Sequence, residues 1–178
     1  MSTDSLARFE NLIMPHLDAA YNLARWMTRH EQDAQDVVQE AVMRAYKYFD
    51  GYHGGNAKSW LLAIVRNTCY TWLRQNRAQI PTVSLDDALE VADDSLIVEE
   101  RCFQNLTKET LKKALEEMPL EFREILVLRE LEGLSYKEIS ETTDLAIGTV
   151  MSRLSRARQK LQGLLKKTSD NNEVPRGL

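Results

Sequence analysis

The sequence contains little cysteine, glycine or proline. Its 178 residues include 2 cysteines, 7 glycines and 4 prolines. Cys69 and Cys102 lie far apart and fit no CxxC or Cys/His spacing, so we predict two reduced thiols and neither a disulfide framework nor a zinc site. Alternation of apolar and polar residues is rare, whereas apolar residues recur at helical spacing. The chain is therefore expected to be all-α, with no cofactor and no bound metal.

The sequence also lacks a long apolar run. No segment could span a bilayer, and the first residues show no basic stretch followed by an apolar one. We expect a cytoplasmic protein without membrane insertion. The net charge of -4 excludes no class of partner, because a basic patch on an acidic protein can still bind a polyanion.

The distribution of charge divides the chain into separate parts. Residues 80–100 contain seven acidic and no basic side chains, which is typical of a linker. We predict two small helical domains, residues 1–80 and 106–168, joined by a flexible acidic linker over residues 81–105. A disordered tail is predicted for residues 169–178.

Capping signals divide the C-terminal domain into helices. Pro119 suits a first helical position, Gly133 suits a helix end, and Ser135 with Glu138 suits a capping box for the next helix. That helix ends at "TTDL", and a third helix begins near Gly148. Two helices joined by a tight turn after a supporting helix predict a helix-turn-helix.

The third helix has one apolar face and one polar face. At about 100° per residue, the predicted buried stripe is Ile147, Val150, Leu154, Ala157 and Leu161. The opposite stripe carries Ser152, Ser155, Arg156 and Gln159, flanked by Arg153, Lys160 and Arg158. Short polar side chains around an arginine suit base edges in a major groove, and flanking cations suit phosphates. A solvated basic face is the alternative, but the helix-turn-helix context favours DNA binding.

A charged helix is predicted over "RHEQDAQDVVQEAVMRAYKYF". Its inward positions are Ala34, Val37, Val38, Ala41 and Ala45, and its outward positions are Asp33, Asp36, Gln39, Glu40, Arg44 and Lys47. The outward surface could bind a basic partner. It could equally be a solvated face with pairs such as Glu40 and Arg44, and the pattern alone leaves both readings open.

A glycine-rich loop and the helix after it combine aromatic and basic side chains. The loop, residues 50–56, holds Tyr52 and His53, and the helix is expected to begin near Ser59. Its predicted buried stripe is Leu61, Val65, Thr68 and Trp72, and its opposite face carries Trp60, Ala63, Asn67, Tyr70, Arg74 and Arg77. Aromatic rings for unstacked bases and cations for the backbone suit single-stranded nucleic acid.

Three strings carry a family resemblance. "DAQDVVQEAVMRAY", "WLLAIVRNTCYTWLR" and "LEEMPLEFREILVLRELEGLSYKEISETTDLAIGTVMSRLSRARQKL" resemble, in order and spacing, the extracytoplasmic-function branch of bacterial RNA polymerase sigma factors. The resemblance implies a non-enzymatic subunit that directs promoter-specific transcription initiation. The implied partners are core RNA polymerase, promoter DNA and an anti-sigma factor that is either cytosolic or linked to the inner membrane.

The resemblance also implies site residues. The clamp helices of core polymerase would be bound by Asp33, Asp36, Gln39 and Glu40. The melted strand of the -10 element would be bound by Tyr52, Trp60, Arg66, Asn67, Tyr70, Arg74 and Arg77. The duplex -35 element would be bound by Thr149, Met151, Ser152, Arg153, Ser155, Arg156, Arg158 and Lys160, in a domain that also touches the polymerase flap. The acidic linker would thread toward the active-centre channel as a mimic of nucleic acid.

Four positions depart from the family pattern. Thr71 stands where the family often has aspartate, so any salt bridge built on that carboxylate is absent. Met151 stands where a basic residue is common and Ser155 where a larger one is common, so the promoter sequence cannot be transferred from a relative. Asp144 replaces a frequent glycine in the turn, where Asp tolerates left-handed backbone geometry better than most residues.

Two alternative functions fit the sequence less well. A conventional helix-turn-helix regulator without polymerase binding would need a sensor domain, and no ligand pocket or strand-containing acceptor domain is evident. A metal-dependent all-α hydrolase would draw on His16, His30, Glu31, Asp33, Asp36 and His53, but no HD or HExxH string occurs.

Overall fold

The computed structural model describes residues 3–76 and 108–170, and these two parts are helical blocks. The predicted linker over residues 81–105, together with Arg77 and Cys102, lies outside the described residues. Of the predicted tail, residues 169–170 end the last helix and the remainder is also outside. Over the described residues, the prediction of an all-α fold with a C-terminal helix-turn-helix is confirmed.

The N-terminal block contains four α-helices and two short 3₁₀ turns. In chain order they are α1 (Thr3–Ile13), a turn (Met14–His16), α2 (Leu17–Thr28), α3 (Glu31–Lys47), a turn (Phe49–Gly51) and α4 (Ala57–Gln75). Helices α2, α3 and α4 pack against one another in pairs. Their shared core is made by small and aliphatic residues on the inner faces, among them Ala20, Leu23, Ala34, Val37 and Leu61.

The C-terminal block also contains four α-helices. They are α5 (Lys108–Glu117), α6 (Leu120–Leu126), α7 (Tyr136–Thr143) and α8 (Ile147–Asp170). A π-helical turn (Val127–Leu131) continues α6, and the carbonyl of Val127 accepts a bond from the N–H of Glu132 at 3.0 Å. Helix α8 packs on α5, α6 and α7, and α7 with α8 forms the helix-turn-helix.

The helix ends follow the local signals in the sequence. Pro119 is the N-cap of α6, one position before the predicted place, and Gly133 has a φ of 69° just after the π-helical turn. The capping box is formed: the Glu138 N–H donates to the Ser135 hydroxyl at 3.2 Å, and the Ser135 N–H donates to the Glu138 carboxylate at 2.7 Å. Asp144 ends α7 with a φ of 58°, the left-handed geometry expected of it.

The two blocks pack against each other. Helix α4 contacts α7, and α2 contacts α6. The buried apolar side chains of both blocks form one cluster that runs from Phe9 in α1 to Leu165 in α8. Within residues 3–76 and 108–170, none of the helices combines the length and hydropathy needed to cross a membrane.

Candidate nucleic-acid interfaces

Helix α8 buries the apolar stripe predicted for it, with one exception. Val150, Leu154, Ala157 and Leu161 are buried, whereas Ile147 is 46% exposed. Ile147 is the first residue of the helix, and helical side chains lean toward the N-terminus. Its side chain therefore points past the edge of the core, and the prediction that Ile147 is buried is wrong.

The opposite face of α8 is open to solvent. Of the residues predicted to bind duplex DNA, the exposed ones are Thr149, Met151, Ser152, Ser155, Arg156 and Lys160, and the half-buried ones are Arg153 and Arg158. Arg158 is held by Glu130 of the π-helical turn after α6, and the Glu130 Oε1 atom lies 2.6 Å from Nη2 and 3.1 Å from Nε. The face combines short polar side chains with cations at the spacing that a major groove accepts.

Helix α4 presents a shallow groove at its solvent side. Arg66, Asn67, Tyr70, Thr71 and Arg74 line it, and all but Thr71 were predicted to bind a DNA strand. The Thr71 hydroxyl donates to the Asn67 carbonyl at 3.0 Å and receives a long 3.4 Å bond from Arg74 Nη2. Threonine supplies no carboxylate at this position, and among the described residues no salt bridge involves Arg74.

Tyr52, which the resemblance also implies for the DNA strand, does not line this groove. It is only 6% exposed, its ring stacks on Phe49 at 5.8 Å, and its hydroxyl donates to the carbonyl of Gly55 at 2.7 Å. An aromatic ring gains more by filling the space under the loop than by facing water. Trp60 is half-buried beside it, 5.1 Å away between ring centroids.

The start and the buried face of α4 also differ from the prediction. Asn56 caps the helix by accepting the Ser59 N–H at 3.1 Å, so α4 begins two residues before Ser59. Leu61, Val65 and Thr68 are buried as predicted, and Trp72 is half-buried; Leu62, Cys69 and Leu73 are buried as well. The stripe is wider than predicted because α4 packs on its own block and on α7.

The outward face of α3 is compatible both with binding a partner and with a solvated surface. Asp36, Gln39 and Glu40 are exposed and Asp33 is half-buried, with Ala34, Val37, Ala41 and Ala45 beneath them. Arg44 Nε lies 2.7 Å from Glu40 Oε1, as expected of a solvated helix face. A surface salt bridge of this kind contributes little to the free energy of unfolding, so a binding partner can replace it at small cost.

Glu124 of α6 was not anticipated from the sequence. It is 2% exposed, and its carboxylate accepts bonds from Arg66 Nε and, at 2.6 Å, from the Tyr70 hydroxyl. The Arg66 guanidinium also lies 4.7 Å from the centre of the Tyr70 ring. An acid within the apolar run "FREILVL" was the available signal, since a buried carboxylate needs a partner.

The charge of Glu124 perturbs its neighbours on α4. Burial and then the Glu124 carboxylate raise the pKa of the Cys69 thiol to about 12. The same two causes raise the pKa of Tyr70 far above its usual value. The adjacent Arg123 is also buried, which lowers its pKa to about 10, and it donates to the carbonyl of Glu116 at 3.2 Å. Glu124 and Arg123 therefore place two charged side chains inside the packed region.

Each of the two helical blocks matches a separate family model. The family model for sigma-70 region 2 matches residues 12–79, and that for sigma-70, region 4 matches residues 108–161. The chain is 34% identical over 158 residues to the ECF RNA polymerase sigma factor SigM of Mycobacterium tuberculosis, covering 88% of this chain and 76% of that one. The chain belongs to the extracytoplasmic-function branch of the sigma-70 family.

Further relatives agree with this assignment. The ECF RNA polymerase sigma factor SigE of Mycolicibacterium smegmatis is 32% identical over 166 residues, covering 93% of this chain and 64% of its own length. Among solved structures, the sigma factor RpoE of Bartonella quintana, in complex with the anti-sigma factor NepR, superposes with a TM-score of 0.70. It shares 31% identity, over 89% of this chain and 97% of that one.

In this sigma factor, region 2 and region 4 meet through polar contacts as well as the core. Lys58 Nζ lies 3.1 Å from Glu132 Oε2 and donates to the Glu132 carbonyl at 2.7 Å. The Asn56 amide donates to the Glu138 carboxylate, and the Asn22 amide donates to Glu132 at 3.3 Å. A region 4 carboxylate is the partner of a region 2 side chain in five of these contacts, two of which are those of Glu124.

Proposed function

We propose that this protein binds core RNA polymerase and directs transcription initiation at promoters that it recognises through two elements. Helix α8 reads the -35 element as duplex, and α4 captures the melted strand of the -10 element. The protein contributes recognition and carries out no chemistry of its own. The observation that carries the proposal is the presence, in one chain of this family, of an exposed polar and basic face on α8 and a basic groove on α4.

The exposed face of α8 supplies two kinds of DNA contact. Ser152, Ser155 and Arg156 lie at its centre and face base edges, where a bidentate arginine contact discriminates by about 1–3 kcal/mol. Arg153, Arg158 and Lys160 lie beside them and face phosphates, which positions the helix without reading sequence. The exposed Met151 side chain suits the methyl group of a thymine.

The groove on α4 suits an unpaired strand. Arg66 and Arg74 face the backbone, Asn67 hydrogen-bonds an unstacked base, and Tyr70 with Trp60 offers ring surface. Tyr52 acts indirectly, because its buried ring supports Trp60. Melting is favoured where bases that leave the duplex find such contacts.

The remaining partners follow from charge and from the family. Asp33, Asp36, Gln39 and Glu40 on α3 dock on the clamp helices of core polymerase, and region 4 contacts the flap. A relative has been solved with an anti-sigma factor bound, and we extend that mode of control to this chain. The protein then works in the cytoplasm, where it is free or held at the inner membrane by its anti-sigma factor.

The proposal is tested by transcription in vitro. Purified protein is added to bacterial core polymerase on a pool of genomic fragments, and transcript starts are sequenced. Discrete new starts that share two upstream elements are expected. Retained duplex binding without core-dependent initiation would instead indicate a conventional helix-turn-helix regulator.

A further inference from the structure

The surface proposed to capture the DNA strand is partly occupied by the protein itself. Arg66 and Tyr70, two of the residues that line the groove on α4, bind the carboxylate of Glu124 from α6. We infer that Glu124 acts as an internal mimic of a DNA phosphate and holds region 4 closed over region 2, so that strand capture requires the two regions to separate. The role in strand capture rests on the proposed function.

The Glu124 contact has the chemistry of a phosphate site. Both carboxylate oxygens are used, one by Arg66 Nε and the other by the Tyr70 hydroxyl. Arginine recognises carboxylates and phosphates with the same donors, so one anion can replace the other. The side chain of Arg66 is 17% exposed and that of Glu124 is 2% exposed, so most of the Arg66 side chain is inaccessible to a strand while Glu124 is in place.

Two further contacts place region 4 acids on the first turn of α4. Lys58 binds Glu132, and Asn56 binds Glu138. Together with Glu124, these acids accept from donors along α4 and its N-cap. At this interface region 2 supplies the donors and region 4 supplies the anions. Region 4 therefore takes the part that the phosphates have in a protein–nucleic acid contact.

The closed arrangement leaves the duplex-reading face free. Arg156, Ser152 and Ser155 on α8 are exposed, and so are Asn67 and Arg74 at the far side of the groove on α4. The closed protein can thus bind duplex DNA, and a strand can touch Asn67 and Arg74, but capture by the whole groove requires region 4 to move. Closure selectively blocks the contacts of Arg66 and Tyr70.

Neutralising Glu124 should favour the open form. In Glu124→Gln, Arg66 remains largely buried without a counter-charge, which is costly, and opening returns it to solvent. A strand then binds without first displacing region 4, so the apparent affinity rises by the factor by which the open fraction rises. We expect a gain of about tenfold or more.

The experiment compares the full-length wild type with Glu124→Gln and with Glu141→Gln as the matched control. Glu141 belongs to the same region, but its side chain is 60% exposed and pairs only loosely with Lys137 within α7. Small-angle X-ray scattering gives the radius of gyration, and fluorescence anisotropy gives the affinity for a labelled random-sequence single-stranded DNA. Expansion and tighter strand binding in Glu124→Gln alone are the expected result. A folded Glu124→Gln that stays as compact as wild type and binds no tighter would overturn the inference.

A second variant covers the case in which Glu124→Gln does not fold. Tyr70→Phe keeps the aromatic ring and removes only the hydroxyl that donates to Glu124. If the hydroxyl serves closure, this variant binds the strand several-fold more tightly than wild type; equal or weaker binding would overturn the inference. A third outcome is that a variant expands but neither it nor the wild type binds the strand. That result would support closure by Glu124 and would refute the proposed role of α4 in strand capture.

Discussion

The ion pair between Glu130 and Arg158 should limit how strongly α8 holds a DNA backbone. Arg158 stands at the edge of the duplex-reading face, where it is proposed to contact a phosphate. Its Nε and Nη2 atoms both approach Glu130 Oε1, at 3.1 and 2.6 Å. The carboxylate competes with a phosphate for this guanidinium, because it occupies two of the five N–H donors. We therefore predict that Glu130→Gln strengthens duplex binding.

The size of the effect follows from the exposure of the pair. The side chains of Arg158 and Glu130 are 33% and 51% exposed, so the pair belongs to the class of surface salt bridges, which contribute about 0.2–1 kcal/mol. When the pair is already broken, DNA binding no longer has to supply that free energy, and the Kd for duplex should decrease by about 1.4- to 5-fold. Arg158→Ala should act in the opposite direction, weakening binding uniformly across sequences and reducing the salt slope by about 1.

The measurement is fluorescence anisotropy of a labelled duplex at several salt concentrations. Glu141→Gln serves as the control because it removes the same charge from an exposed pair in α7. The reasoning would be refuted if Glu130→Gln matched Glu141→Gln and if Arg158→Ala left the salt slope unchanged. Those two results would mean that Arg158 does not reach the backbone.

Three further predictions concern single side chains. Arg156→Ala should cost about 1–3 kcal/mol on the preferred upstream element in holoenzyme binding, and an equal loss on all sequences would reassign it to a phosphate. Asn67→Ala should reduce permanganate reactivity of promoter thymines without weakening the closed complex, and normal melting would contradict its base contact. The raised pKa of Cys69, about 12, means that the native thiol keeps a proton that the unfolded chain releases above about pH 9. The free energy of unfolding should therefore fall between pH 9 and 12, with this group contributing up to about 1.4 kcal/mol per pH unit. Denaturant titrations of Cys69→Ala should show a shallower decline, and an unchanged decline would mean that the Cys69 thiol is not its cause.

The sequence predicts those parts of the fold that depend on local chemistry. Gly133, Asp144 and the capping box of Ser135 with Glu138 mark helix ends through their own backbone geometry, and each lies where it was expected. The helical period places Val150, Leu154 and similar residues in the core, because one face of an amphipathic helix must be buried. These signals require no knowledge of which helices meet.

Features that depend on the meeting of helices could not be predicted. The wheel for α4 has a single buried stripe, whereas the helix packs on two sides and buries Cys69 and Leu73 as well. The resemblance implies a DNA contact for Tyr52, but the packing of its ring against Phe49 depends on how the loop folds and has no signal in the local sequence. Glu124 lies 58 positions from Arg66 along the chain, and no local pattern joins the two.

The closed arrangement imposes an order on the proposed events. In this conformation Asp36, Gln39 and Glu40 on α3 are exposed, so the proposed docking of core polymerase at these residues needs no prior opening. The groove on α4 is completed only when Glu124 leaves Arg66. A partner shifts such an equilibrium only by the difference between its affinities for the two forms. If polymerase holds region 2 and region 4 apart on its surface, it prefers the open form and supplies the free energy that breaks the Glu124 contact. Free protein would then bind duplex readily and a melted strand poorly, and strand capture would be confined to the holoenzyme.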